Sequence, residues 1–226
     1  MSALRSLLFW PFFLVGSAGY VLAAAVLAFV RPARLGSAAR GWARFFNGST
    51  ATLLGVRQRW VGEMPRGPHL WALKHGSLYE TPGTLLLPHA PAVVLKKELA
   101  DIPGWGWAAR RYGVIAVDRE AGPNALRAML AEARAAARAG RSVAIFPEGT
   151  RVPWGEAPPL QPGFAGLYRA VGLPVQPVAL DSARVWTKGW LKRPGLVTFR
   201  LGEPIPPGLS REEVEARVHQ AINAFG

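Results

Sequence analysis

The run Ser142-Val143-Ala144-Ile145-Phe146, followed at once by Pro147-Glu148-Gly149-Thr150-Arg151, decides how the chain reads. A short, unbroken apolar stretch that stops at proline fits a strand buried on both faces of a parallel sheet. Proline cannot extend the ladder, so the chain must turn there. The turn sets an acid, a bare backbone, a hydroxyl and a guanidinium at one sheet edge. Open α/β sheets bind their ligands at the carboxyl ends of the strands. Glycine lets a ligand approach the backbone closely, and arginine offers a planar fork suited to phosphate.

Outward from that strand the pattern alternates. His69 to Lys74, Ala92 to Leu95 and Val114 to Val117 are short apolar runs ahead of it, and the first ends at the corner His75-Gly76. Between them and Ser142 a helix is predicted from about Asn124 to Ala139. Leu126, Met129, Leu130, Ala133 and Ala137 share one face of it, Pro123 suits its start and Gly140 its end. Pro174 to Leu180 reads as a strand split by Pro177, and Leu196 to Leu201 as another. A last helix near Arg211 to Ala224 opens with the capping box Ser210/Glu213. Strands alternating with helices predict an α/β domain with a largely parallel sheet flanked by helices. Residues 61–226 are expected to form this domain, behind a hydrophobic N-terminal segment over residues 1–60.

The chain has 226 residues, a net charge of +13, half its residues hydrophobic and no cysteine. The missing cysteine excludes disulfide frameworks, zinc fingers and a thiol nucleophile. So basic a chain needs an anionic setting, either nucleic acid or a membrane with phosphorylated substrates. The hydrophobic content favours membrane. Leu7 to Val30 carries no charged residue, enough for roughly 36 Å of helix against a hydrocarbon core of about 30 Å. Only Arg5 precedes it, while Arg31, Arg34, Arg40 and Arg44 follow, so the positive-inside rule predicts an inner-membrane location with the domain facing the cytoplasm. A cleaved signal peptide, suggested by Ala23-Ala24-Ala25, fits less well because the stretch is long and its following flank basic. Pro11, Gly16 and Gly19 leave open whether the segment spans or is embedded. Ala38, Trp42, Phe45, Phe46 and Leu53 then recur at near-helical spacing with Arg40 and Arg44 between them. This is expected to be an interfacial helix in the headgroup layer, with a core helix weakened by Gly41 and Gly48 as the alternative.

His75 and Glu80 could form a base and its orienting acid at the strand-to-helix corner. A carboxylate on Nδ1 fixes the tautomer and leaves Nε2 to take a proton from a substrate hydroxyl, an effect typically worth ~10²–10⁴ in rate. Ser77 and Glu80 also spell a capping box, although Pro82 makes that cap less than ideal. Ser77 as a nucleophile is a weaker alternative, because no Gly-x-Ser-x-Gly elbow surrounds it. Gly104 to Ala109 spells a nominal dinucleotide fingerprint, but no strand leads into it; it reads as a turn or as aromatics touching lipid. The loop Val185 to Arg193 interleaves Trp with cations and could touch a bilayer or the phosphates of a donor. No spacing suggests a metal site, and His69, His89 and His219 read as surface or core residues.

Lys96, Leu99, Gly106 and Arg119 fit Lys-x2-Leu-x6-Gly-x12-Arg. With His75…Glu80, Phe146 to Arg151 and Leu173-Pro174-Val175-Gln176-Pro177-Val178-Ala179 they make ordered blocks. In these blocks the chain, from about Gly62 onward, resembles the 1-acylglycerol-3-phosphate (lysophosphatidic acid) acyltransferases of the glycerolipid acyltransferase family. The resemblance implies that His75 is the base and Glu80 its orienting acid. It implies that Lys96, Arg119 and Arg151, with the block Glu148-Gly149-Thr150, bind the glycerol phosphate of the acceptor. The Leu173 to Ala179 block would line the acyl-donor side. Glu80 departs from the family's usual Asp by one methylene and keeps the charge. The expected partners are acyl-CoA or acyl carrier protein as donor, lysophosphatidic acid or a related lysolipid as acceptor, and a membrane, with no cofactor, metal or nucleic acid. Rival readings are transfer to another lysophospholipid or a lyso-amino-acid lipid, a non-catalytic binder of anionic lipid or nucleic acid, and a lipid hydrolase.

Overall fold

The computed structural model describes residues 2–118 and 122–225. Its centre is a seven-stranded sheet of order β1-β7-β6-β2-β5-β3-β4. The strands are β1 Val56–Val61, β2 Leu70–Leu73, β3 Ala92–Lys96, β4 Ile115–Val117, β5 Val143–Ile145, β6 Val175–Leu180 and β7 Gly195–Leu201. From β6 through β4 neighbouring strands are parallel. β7 pairs antiparallel with β6 and carries β1 parallel to itself, so these two strands run against the rest.

β2 is buried along its whole length because its alternating side chains enter two different cores. Leu70 and Ala72 join Val143, Met129, Ala133, Phe164, Leu167, Val214 and Val218 on one face. The helices there are α6 Gly122–Arg138, α7 Gly163–Val171 and α9 Arg211–Ile222. Trp71 and Leu73 join Ala144, Val178, Phe9, Phe46 and Leu54 on the other. That second face is covered by α1 Ser2–Val30 and α2 Leu35–Ser49. The predicted cap of α9 is present: Ser210 Oγ accepts from the Glu213 N–H at 3.1 Å.

Several expectations are corrected. The proline in β6 does not split it, because the antiparallel ladder to β7 begins at Val178, just past Pro177, and the Pro177 carbonyl still accepts from the Gly202 N–H. β1 straddles the boundary drawn at residue 60, so the sheet begins within the segment set apart as the anchor. α2 is not a free interfacial helix. Phe46 is fully buried against Tyr79 and Trp186, Phe45 packs on Phe12, Phe13 and Tyr20, and the Trp42 indole donates to Ser17 Oγ at 3.0 Å. The nominal dinucleotide fingerprint follows the short helix α4 Lys97–Ala100 and runs from the cap Gly104 into α5 Trp105–Tyr112, whose Trp107 stacks on Phe29 at 5.5 Å.

α1 is long and apolar enough to cross a membrane. It lies along the body of the molecule. Near its start Ser6 Oγ accepts from the Lys192 N–H at 2.8 Å and the Trp10 indole donates to the Trp190 carbonyl at 2.7 Å. Near its end Phe29 meets α5. Leu4, Leu7, Leu8, Val15, Leu22 and Phe29 remain exposed. The loop from Val185 to Arg193 is thus a clasp for the helix start. Its Lys192 side chain is buried over the Trp186 ring, which pushes the ammonium pKa below the usual lysine value.

Candidate active site

Parallel strands deliver their carboxyl ends to one edge, and the residues singled out from the sequence collect there. His75 follows β2, Phe146 to Arg151 follow β5, and Lys96 closes β3. The His75 ring lies on the Phe146 ring at a centroid distance of 4.1 Å and 23°. The Val152 N–H donates to the His75 carbonyl at 2.7 Å, so Arg151 is the immediate chain neighbour of a residue bonded to His75. Thr150, Arg151 and Lys96 are exposed. Arg119 lies outside the described residues.

Glu80 opens the short helix α3 Glu80–Gly83 and is wholly buried. Its Oε1 lies 2.9 Å from His75 Nδ1 and accepts the Ser77 N–H at 2.8 Å; its Oε2 accepts the Ser77 hydroxyl at 2.8 Å. A carboxylate only accepts, so Nδ1 carries the ring proton and Nε2 is left as the basic nitrogen. One carboxylate thus holds both the Nδ1 side of the His75 ring and the Ser77 turn ahead of α3, while α3 itself starts after Tyr79 without a side-chain cap. Ser77 Oγ also accepts the Tyr79 N–H at 3.1 Å, and the residue is buried. With its proton committed to Glu80, Ser77 is poorly placed to act as a nucleophile. Behind the corner Tyr79 packs against Phe46 and Trp186, and burial pushes its phenol up to about 12.

Gly76 has a packing reason. A Cβ there would sit 2.9 Å from Ser182 Oγ and 3.0 Å from the Ala183 nitrogen, at the start of the short helix α8 Ser182–Val185. The turn after β5 needs Gly149 for another reason: its φ is 75°, a left-handed conformation that side-chain-bearing residues rarely adopt.

Glu148, expected in the substrate-binding set, has partners inside the protein. It is buried, its Oε1 accepts the Lys74 ammonium at 2.6 Å, and its Oε2 accepts the His75 N–H at 3.2 Å. Both oxygens are thus engaged inside the protein, and the residue ties Lys74 to the backbone of His75. Lys74 escaped the sequence reading altogether, because its partners are scattered: Glu148, the Glu156 carbonyl at 2.8 Å and Asn223 Oδ1 at 2.6 Å. The Leu173 to Ala179 block supplies most of the buried strand β6. Away from this edge an apolar groove runs between α1, α2 and α5, lined by Tyr20, Ala24, Ala38, Trp42, Trp105 and Ala108; neither His75 nor Arg151 lines it. Among the described residues no cluster of His, Asp and Glu could hold a metal.

A model of the Acyltransferase family matches residues 66–181, which include Lys74, His75, Glu80, Lys96 and Phe146 to Arg151. The chain belongs to the acyltransferase family. It is 32% identical to the 1-acyl-sn-glycerol-3-phosphate acyltransferase of Pseudomonas aeruginosa over 89% of this chain and 80% of that one. It is also 32% identical to the lyso-ornithine lipid O-acyltransferase of the same organism, over 71% of this chain and 69% of the other. Among solved structures, the 1-acyl-sn-glycerophosphate acyltransferase of Thermotoga maritima superposes with a TM-score of 0.77. That match has 25% identity and covers 99% of this chain and 95% of that one. These likenesses make the chain an O-acyltransferase with the expected largely parallel α/β fold, the sheet being mixed through the reversed β1 and β7.

Proposed function

We propose that this acyltransferase moves a fatty acyl group from the thioester of acyl-CoA or acyl carrier protein to the sn-2 hydroxyl of lysophosphatidic acid, giving phosphatidic acid. The observation that supports the reading is the imidazole held on Glu80 through Nδ1, at a corner where the bond from Val152 to the His75 carbonyl ties in the chain neighbour of the exposed Arg151. His75 Nε2 takes the hydroxyl proton as the oxygen attacks the thioester carbonyl. Glu80 stabilises the imidazolium that forms. Collapse of the tetrahedral intermediate breaks the carbon–sulfur bond, and the thiolate leaves with the proton held by His75. No acyl-enzyme is required, because positioning alone raises the effective concentration of a deprotonated alcohol at a thioester.

Arg151 and Lys96, with the Thr150 hydroxyl, are assigned to the acceptor phosphate; both cations are exposed at the same edge. Arg119 is assigned there by its place in the sequence motif. Membrane attachment follows from α1: a helix clasped to one body near both ends lies in the plane of the bilayer rather than across it. Its exposed side would sit in lipid, on the cytoplasmic face of the inner membrane where soluble thioesters are available.

Purified protein in detergent should release free thiol from acyl-CoA or acyl carrier protein only when lysophosphatidic acid is present. Thiol release without any acceptor would instead indicate a hydrolase. The lyso-ornithine lipid relative supports a second reading, the same chemistry on a phosphate-free lysolipid. Faster thiol release with such an acceptor than with lysophosphatidic acid would select it.

A further inference from the structure

We propose that Lys74 is a positioning residue for His75. Its ammonium clamps Glu148 onto the backbone of the base and ties that corner to the end of the C-terminal helix. The proposal rests on reading His75 as the base.

Lys74 is the last residue before His75 and is 8% exposed. An ammonium has three protons, and here three acceptors meet them: Glu148 Oε1 at 2.6 Å, Asn223 Oδ1 at 2.6 Å and the Glu156 carbonyl at 2.8 Å. With these donors committed inside the protein, Lys74 is not a grip for substrate phosphate, although it stands beside the base. Its own N–H is fixed to the Val178 carbonyl at 3.0 Å, which anchors the stem of the clamp in β6.

The consequence for His75 runs through Glu148. One carboxylate oxygen faces the ammonium and the other accepts the His75 N–H. A buried carboxylate without a countercharge is strongly disfavoured, so removing Lys74 forces Glu148 either to take up a proton or to move. Either response alters the hydrogen bond that holds the His75 backbone. Glu80 would still orient the ring through Nδ1, but from a backbone no longer held in place. The tie to Asn223 is directional as well. Its Nδ2 donates to the His219 carbonyl at 2.8 Å, which turns Oδ1 toward Lys74. The end of α9 is thereby part of the frame around the base.

The test compares wild type, Lys74→Met, Glu148→Gln, the Lys74→Met/Glu148→Gln double variant and Asn223→Ala. It reads thiol release with lysophosphatidic acid and hydrogen exchange of the backbone around His75. Lys74→Met should lower kcat about tenfold or more while KM for the acceptor changes less than about twofold. Adding Glu148→Gln to it should restore kcat several-fold, because glutamine keeps an acceptor for the His75 N–H and removes the buried charge. Protection of the His75 amide should fall in Lys74→Met and return in the double variant. Asn223→Ala, which bares no charge, should lower kcat about two- to fivefold and keeps the test available if Lys74→Met does not fold. A raised KM with unchanged kcat in Lys74→Met, no recovery in the double variant, or unchanged kcat in Asn223→Ala would overturn the clamp. If wild type releases no thiol with any lysolipid, the proposed reaction fails separately. The exchange data then decide the clamp alone, and unaltered His75 protection in Lys74→Met would end it.

Discussion

Around His75 both oxygens of each carboxylate have donors, whereas at Lys96 and Arg151 the charged ends are exposed with no ion-pair partner among the described residues. The two halves of one sheet edge are therefore held in opposite ways. A base must be fixed before the substrate arrives, since proton transfer and attack depend on sub-ångström placement. A phosphate grip gains from the reverse, because a cation already satisfied by an acid has less to offer an incoming anion. The contrast implies that substitutions on the first side change rate or stability, and those on the second change acceptor affinity.

The largest expected effect is on the fixed side. His75→Ala should lower kcat by ~10²–10⁴ with the melting temperature nearly unchanged, measured by thiol release and thermal unfolding. A comparable loss of folding would mean that the ring is mainly a packing element on Phe146. Glu148→Ala should cost about 3–5 kcal/mol in urea unfolding, as a buried ion pair loses one partner. A loss below about 0.5 kcal/mol would show the carboxylate to be no more constrained than a surface residue.

Much of this arrangement was legible in the sequence, and the exceptions have physical causes. The strand before Pro147 and the corner after Leu73 were readable because each is a short apolar run ending in turn chemistry. Their shortness and the flanking Pro or Gly favour a strand over a segment of buried helix. β1 was missed although its period of two was present: Val56, Gln58 and Trp60 face in, while Arg57 and Arg59 are exposed. Two arginines in six residues mask an edge strand whose pairing partner, β7, is remote in the chain. The roles of Lys74 and Glu148 were not readable at all, because their bonds join residues 74, 82 and 149 positions apart. Ser77 was legible only as one half of a capping box with Glu80; the bond from its hydroxyl to that carboxylate, made ahead of α3 and not at its start, came only with the fold.

Smaller effects sharpen the contrast. Ser77→Ala should reduce kcat about three- to tenfold with little change in KM, because Glu80 loses one of its donors. An increase in KM alone would move Ser77 to the acceptor side. The pH dependence of stability should carry the mark of Tyr79, whose phenol is pushed up to about 12 from 10.0 by burial. A raised folded value means that its contribution is full below about pH 10 and is lost as pH rises through about 12. The urea midpoint should hold to about pH 10 and then fall, and Tyr79→Phe should flatten that decline.

The central claim is that the imidazole at 75 and the guanidinium at 151 act on one acceptor molecule. Its most direct test is the ratio of kcat/KM for lysophosphatidic acid to that for the matching phosphate-free monoacylglycerol, in wild type, Arg151→Ala and His75→Ala. The account predicts that Arg151→Ala lowers this ratio at least about tenfold, chiefly by weakening the phosphate-bearing acceptor, while His75→Ala depresses both acceptors alike. A ratio unchanged by Arg151→Ala would contradict it, because the two groups would then not serve the same substrate.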